Sequence, residues 1–347
     1  LSIGIRHSVF IIRHSTFDIR HSAFVIRQSS FVIRHSQKDF SMSRYRQTQL
    51  EANLRLRAHV IRIVRDFFTA QGYLEVDTPL RIPAPIPEAH IDAMASGDWF
   101  LQTSPEVCMK RLLAAGYPRI FQICKCFRQA ERGARHLPEL TMLEWYHAGW
   151  TYQEMMNQCE ELIGFLAAAL SGDETITYQS ELIDLQEPWE RLTVAQAFQR
   201  FSSMSMDQAL ACGRFDEVMG LEIEPQLGRP KPVFLCDYPA AQGALARLRP
   251  DNPGLAERFE LYIAGLELCN AFSELTDPIE QRRRFEEQNL RRRQSGKPVY
   301  PIPEKFLAAL ADMPAAAGNA LGVDRLVMLF ADANRIDDVV AFTPEEL

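Results

Sequence analysis

Apolar residues recur at three- and four-residue spacing through residues 48–71. Leu54, Ala58, Ile61, Val64, Phe67 and Phe68 fall on one face of a helix, and Gly72 is placed to end it. Tyr73 to Asp77 then reads as a short strand stopped by Pro79, followed by an extended, proline-rich stretch over 81–90. Trp99 to Thr103 predicts another strand. Pro105 to Ala115 predicts a helix started by Ser104 as N-cap. Alternation predicts strands over 120–128 and about 139–147, with a loop at 129–138 between them, and then a helix over 152–170. Residues 171–230 mix helical stretches with loops. Val233 to Asp237 reads as a strand. Arg258 to Ala264 and Leu266 to Leu275 read as two strands meeting at Gly265. Pro278 to Gly296 predicts a highly charged helix and Leu307 to Asp312 a short one. Gly318 to Leu321 predicts a turn leading into a helix over 323–330. Strands that pair antiparallel, flanking helices and no βαβ alternation give an α+β fold.

The first 41 residues stand apart from this pattern. Ile-Arg-His-Ser units begin at Ile5, Ile12, Ile19 and Ile33, with Ile26-Arg27-Gln28-Ser29 in step, and Phe10, Phe17, Phe24 and Phe31 keep the same seven-residue period. A heptad suggests a coiled coil, but Ile, Val, Phe, Ser and His are weak helix formers. Arginines interrupt every apolar run, which argues against a secretory signal; the Arg- and Ser-rich composition leaves a transit peptide as a minor alternative. Near-identical tandem units are what translation of a short DNA repeat would yield. The expectation is a disordered segment or an over-extended gene start, with Met42 the initiator and residues 42–347 one catalytic domain.

Charge sharpens the division. Residues 1–40 carry six basic and two acidic residues, whereas the remainder carries 32 basic and 43 acidic, a net of −11. A body this acidic is a poor general binder of polyanions, although local basic grooves remain open. Seven cysteines, with Cys124 and Cys126 spaced C-x-C, match neither a zinc ribbon nor a disulfide framework and suit a reducing cytoplasm. No apolar run approaches the ~20 residues that span a bilayer, so no membrane association is expected.

Three clusters carry candidate chemistry. Phe127-Arg128-Gln129-Ala130-Glu131-Arg132, then Arg135 and His136, put cations at a strand end facing a loop, which suits a phosphate chain; a solvated hairpin is the plainer alternative. Asn270, Phe272 and Glu274 alternate, so one strand points them to one face, with Glu267 on the same hairpin across from Glu260. Such carboxylates repel unless a divalent metal or an amino-group ligand compensates, or unless they line an ordinary polar sheet face. Gly318-Asn319-Ala320-Leu321-Gly322-Val323-Asp324-Arg325 combines small residues with a helix start, a place where anions are accommodated.

Together the clusters resemble the catalytic core of class II aminoacyl-tRNA synthetases, over about residues 45–345. Their first motif is similar to residues 54–79, their second to 127–146, and their third to 320–325 except at its first glycine. Thr103-Ser104-Pro105-Glu106, Met109-Lys110-Arg111-Leu112, Arg135-His136 and Asn270-Ala271-Phe272-Ser273-Glu274-Leu275 look like the lysyl branch. A bacterial lysyl-tRNA synthetase places an anticodon-binding OB domain ahead of the core, whereas only about 50 residues precede it here. With Glu144-Trp145-Tyr146 and Ala320-Leu321-Gly322, the chain resembles the elongation factor P–(R)-β-lysine ligase family.

That resemblance implies a mainly antiparallel sheet flanked by helices, and a cytoplasmic homodimeric enzyme that joins β-lysine to a lysine side chain of elongation factor P, with ATP as co-substrate. It implies Arg128 on the α-phosphate and Arg325 on the γ-phosphate as catalytic groups, with Arg135 and His136 helping. Gln129, Ala130, Leu137, Glu267, Leu268 and Gly322 would surround the nucleotide, and Glu260 and Glu267 would hold Mg²⁺. Ser104, Pro105, Glu106, Glu144, Tyr146, Asn270, Phe272, Glu274 and Ala320 would form the amino-acid pocket. Ala130 and Leu137 depart from the family pattern, where Glu and Asn are usual. A minimal lysyl-tRNA synthetase acting on α-lysine is the same-class alternative, with tRNA disfavoured by the missing OB domain; a non-catalytic lysine- or nucleotide-binding module is the other. The charged helix over 278–296, with Arg282 to Arg284 and Arg291 to Arg293, would meet an acidic protein partner or remain a solvated face.

Overall fold

Helix α1 (Glu51–Ala70) buries Val64, Phe67 and Phe68 as the sequence spacing predicts, together with Val60 and Ile63, whereas Leu54 and Ile61 are half-buried and Ala58 is exposed. Its end is a Schellman closure. Gly72 takes φ +77°, its N–H donates to the Thr69 carbonyl at 3.1 Å, and that of Tyr73 donates to Phe68 at 3.0 Å. The structure, a computed structural model, describes residues 45–243 and 245–347. The repeat over 1–41, and the expectations placed on it, lie outside the described residues.

Eight strands form one sheet: β1 (Leu74–Glu75), β2 (Arg119–Phe127), β3 (Glu139–Ala148), β4 (Glu190–Thr193), β5 (Val233–Pro239), β6 (Leu255–Ile263), β7 (Leu266–Ser273) and β8 (Ala316–Gly322). Their spatial order is β1-β2-β3-β8-β7-β6-β5-β4. Pairing is antiparallel except at the two edges, where β1 runs parallel to β2 and β4 to β5. The α+β, mainly antiparallel expectation holds. The β6–β7 hairpin turns on Ala264 and Gly265, with φ +53° and +72°. Two left-handed residues in a two-residue loop match the right-handed twist of the flanking strands.

Strand alternation decides what the sheet does. One set of side chains, including Phe121, Leu143, Trp145, Cys269, Ala271 and Leu321, packs into a core against α1, α3 (Tyr152–Leu170) and α6 (Val323–Phe330). Helix α3 is fixed at its start by a capping box in which the Thr151 N–H donates to Glu154 at 2.8 Å. The alternate residues, Glu144 and Tyr146, Asn270 and Phe272, Gly318 and Ala320, face the other way and line a cavity.

Three expectations need correction. Gly318–Leu321 is not a turn but part of β8, held between β3 and β7. Its small residues mimic a turn because a side chain there meets its neighbours: a Cβ on Gly318 would collide with the Tyr146 ring and the Glu274 carboxylate. Glu267 is not across from Glu260. A register shift after Leu261 sets Glu267 opposite Tyr262 and Glu260 opposite Asn270. Helix α2 (Glu106–Ala114) starts after Pro105, not after Ser104, although the Ser104 hydroxyl does accept the Glu106 N–H at 3.0 Å.

Helix α4 (Pro278–Gln294) and α5 (Glu304–Leu310) close the cavity side. Several α4 arginines have internal work. Arg282 pairs with Glu304, and Arg283 with Glu280 and Glu287. Arg292, fully buried, pairs with Asp92 at 2.8 Å.

Candidate active site

The cavity has a volume of about 650 Å³ and gathers most residues expected from sequence. Ser104, Glu106, Arg128, Ala130, Arg135, His136, Leu137, Glu144, Tyr146, Glu267, Leu268, Asn270, Phe272, Glu274, Ala320, Gly322 and Arg325 all line it. Pro105, Gln129 and Glu260 are not among its lining residues. Strand register explains the grouping. Glu144, Ala320, Asn270 and Glu260 form one row across β3, β8, β7 and β6; Tyr146, Gly318, Phe272 and Arg258 form the next. The Ala320 methyl therefore sits on the floor between Glu144 and Asn270.

One end of the cavity is acidic. Glu106 comes from α2, Glu144 from β3, and Glu274 follows β7. The Lys110 ammonium, only 1% exposed, forms ion pairs with both Glu106 and Glu274 and lies 5.0 Å from the Phe272 ring centroid. The compensation expected from a metal or ligand is thus supplied in part by the chain itself. Burial and the other carboxylates still hold Glu274 above the usual carboxylate range. Neither Glu274 oxygen accepts a hydrogen bond of good geometry among the described residues, although both are buried. Glu144, 1% exposed, accepts from Ser104 Oγ at 2.5 Å and Tyr146 Oη at 2.9 Å. Burial, reinforced by Glu106, pushes its carboxyl up to about 8.

The other end is cationic. Arg128 stands 3.7 Å from Glu131, and its buried Nε donates to no group among the described residues. Arg325 donates to the Glu267 carboxylate at 3.1 Å and to the Glu267 carbonyl at 2.8 Å, and meets His136 Nε2 at 2.5 Å. A guanidinium only donates, so His136 accepts as a neutral imidazole. Burial and the Arg325 charge accordingly lower its pKa. Arg135 donates to the Gly265 carbonyl at 2.8 Å, drawing the 129–138 loop over the sheet. Asp324, beside Arg325, is a brace: it pairs with Arg57 at 2.6 Å and accepts the Thr141 N–H at 2.8 Å.

The carboxylates Glu260 and Glu267 interact electrostatically, which together with burial keeps Glu260 raised. Glu224 feels both and rises to about 7, mainly through burial. Glu260 is already held by Arg258 at 2.5 Å and by the Tyr238 and Tyr262 hydroxyls at 2.6 and 2.7 Å. Among the described residues no group of three or more His, Cys, Asp or Glu could hold a metal. Magnesium usually takes one or two carboxylates and completes its shell with phosphate oxygens and water. Two mutually repelling carboxylates beside a cationic phosphate-sized end fit that pattern, and of the two Glu267 faces the cavity.

Sequence reasoning gave no role to Lys110, Arg258 or Glu88. Lys110 lies four residues after Glu106 on a predicted helix, and Arg258 two residues before Glu260 on a predicted strand, so each shared a face with an expected site residue. Glu88, in the proline-rich stretch, carried no such signal.

A family model described as tRNA synthetases class II (D, K and N) matches residues 35–346. The chain is 39% identical over 310 residues to an elongation factor P–(R)-β-lysine ligase of Erwinia tasmaniensis, covering 84% of this chain and 95% of that protein. A ligase of the same name from Haemophilus influenzae is 40% identical over 309 residues, covering 84% and 94%. A lysine–tRNA ligase of Moorella thermoacetica is 37% identical over 342 residues, covering 89% of this chain but 70% of that protein. A cationic end and an acidic end facing each other across an antiparallel sheet, with a family match over nearly the whole described chain, place it among the class II tRNA synthetases (D, K and N), on the side of their elongation factor P–(R)-β-lysine ligase relatives.

Proposed function

We propose that this ATP-dependent ligase activates (R)-β-lysine as an acyl-adenylate and transfers it to a lysine side chain of elongation factor P, the target in its relatives' names. One observation carries the reading. At opposite ends of one cavity, a buried guanidinium N–H of Arg128 has no acceptor, and the buried Glu274 carboxylate, ion-paired with Lys110, has an oxygen with no donor among the described residues. Buried polar groups left unpaired are costly, so such atoms mark where a ligand supplies the partner. An anion belongs at Arg128 and an ammonium at Glu274.

Charge counting agrees. Once ligand ammoniums have drawn Glu144 and Glu274 into their ionised forms, Glu106, Glu144 and Glu274 balanced against Lys110 leave two negative charges, which matches a doubly aminated acid and not a monoamine. The substrate carboxylate oxygen attacks the α-phosphorus and pyrophosphate leaves. Arg128 stabilises the charge that develops at phosphorus, while Arg325, Arg135 and the neutral His136 grip the terminal phosphate. Pro105 and Gln129, just outside the lining, support the amino-acid wall and the nucleotide loop; Ala130, Leu137, Leu268 and Gly322 bound the adenine side. Mg²⁺, held by Glu267 with Glu260 behind it, would neutralise the triphosphate.

Among the described residues all seven cysteines are free and no helix is long and apolar enough to cross a membrane, both in keeping with a cytoplasmic enzyme. The α1–Pro79 segment would form a two-fold homodimer interface. β-Lysine-dependent ATP–pyrophosphate exchange tests activation. Adding purified elongation factor P and looking for a mass increase tests transfer. Exchange followed by charging of tRNA, with no change in the factor, would assign the lysyl-tRNA synthetase reaction instead.

A further inference from the structure

Transfer has a requirement that activation lacks. The acceptor lysine arrives as an ammonium of pKa about 10.4, so at pH 7 only roughly one in a few thousand molecules carries a free amine. A carboxylate near neutrality within the site would remove that barrier.

Glu88 stands where such a group is needed. Its backbone is pinned from α4 and from the phosphate loop. Arg292 donates to the Glu88 carbonyl at 2.8 Å and the Ile91 carbonyl at 3.0 Å; the Ala89 N–H donates to Gln288 at 2.9 Å; the Gln129 N–H donates to the Asp92 carbonyl at 2.7 Å. The side chain lines the cavity. Among the described residues its half-buried carboxylate has no hydrogen-bond or ion-pair partner. The charges it feels are Arg128 and Arg258, which favour ionisation, and Glu106 and Glu131, which oppose it. Burial dominates and brings its carboxyl to about 7. Glu88 shares the cavity lining with Arg128 of the phosphate grip and Glu106 of the ammonium grip, and interacts electrostatically with both. The activated carboxyl carbon joins those two parts of the adenylate.

We propose that Glu88 is the general base of the transfer half-reaction, an assignment that rests on the activation chemistry above. Its carboxylate takes a proton from the acceptor ammonium. The freed nitrogen lone pair forms a bond to the acyl carbon, the bond from that carbon to the phosphate oxygen breaks, and its electron pair leaves with AMP. The second nitrogen proton goes to the departing phosphate, and Glu88 returns its own to solvent.

The test is E88Q, measured in both half-reactions with β-lysine, ATP and elongation factor P. At pH 7 single-turnover transfer falls by about 10²-fold or more, while exchange falls by less than tenfold. Wild-type transfer rises with pH through about 7 and then levels. E88Q transfer climbs about tenfold per pH unit between 7 and 9, following the free amine. Hydroxylamine, uncharged at neutral pH, consumes the adenylate equally fast in both proteins. Equal losses in exchange and transfer, or unchanged transfer, overturn the assignment. Should E88Q not fold, the wild-type profiles decide: a limb near pH 7 with the lysine acceptor and none with hydroxylamine supports it, and the same limb with both refutes it. Absence of any β-lysine-dependent exchange by the wild type is a different result, which removes the activation reading itself.

Discussion

Replacing Lys110 with Met removes the buried ammonium that forms ion pairs with Glu106 and Glu274 but keeps most of the stem's volume. Taking one partner from a buried ion pair costs about 3–5 kcal/mol, because the remaining charge is uncompensated. The protein can avoid part of that by protonating a glutamate, and this makes the cost depend on pH. A carboxyl whose folded pKa lies above its unfolded value favours the folded state while protonated and loses that advantage as pH rises towards the folded pKa. Glu274 is already raised with Lys110 present, and removing the ammonium raises it further. Because the wild-type Glu274 already keeps its proton to about pH 8, the K110M loss should be level below pH 7 and grow by about 1.4 kcal/mol per pH unit above pH 8 for one retained proton, or about 2 kcal/mol by pH 9.5. Against a total stability of about 5–15 kcal/mol that is a large fraction. Urea unfolding of both proteins at pH 7 and 9.5 measures it, and K110M/E274Q, which deletes one orphaned carboxylate, should flatten the pH dependence. Equal losses at the two pH values, or no recovery in the double variant, would refute the view that Lys110 neutralises the pair.

Other outcomes follow from the same cavity. Ala320→Gly deletes the methyl between Glu144 and Asn270 and should relax the preference from β-lysine towards α-lysine by about 1–3 kcal/mol; unchanged relative exchange rates for the two isomers count against it. Glu144, with its carboxyl near 8, must lose a proton to meet an ammonium, so β-lysine affinity should rise from pH 6 to 8; E144Q should flatten that dependence in exchange KM measurements. Gly318→Ala forces a methyl into the Tyr146 ring and Glu274, with a cost of about 1–3 kcal/mol from overpacking. Its thermal midpoint should drop and its KM for β-lysine rise, and a variant normal in both would show that the strands separate freely there.

The pattern along the chain was sufficient for several elements because it reports burial directly. The α1 stripe, the 120–147 hairpin, the β6–β7 turn and the 152–170 helix each repeat apolar residues at their own period, and each appears within a few residues of its expected bounds. Most of the expected site residues also converge, since motif spacing on strands fixes which side chains share a face. Small residues misled: Gly318 to Leu321 carried a turn signal because local composition does not show that Tyr146 and Glu274 crowd that strand from its neighbours.

By itself, then, the sequence determined most of the element types, the two opposed charge classes and many of the residues that could carry the chemistry. Only the tertiary structure decided how they pair. The register shift after Leu261 moves Glu267 away from Glu260, Lys110 reaches across from α2 to Glu274, and Glu88 is held in the cavity by an arginine some 200 residues further along the chain. Register and long-range charge pairing depend on which surfaces meet after folding, and no local period encodes that.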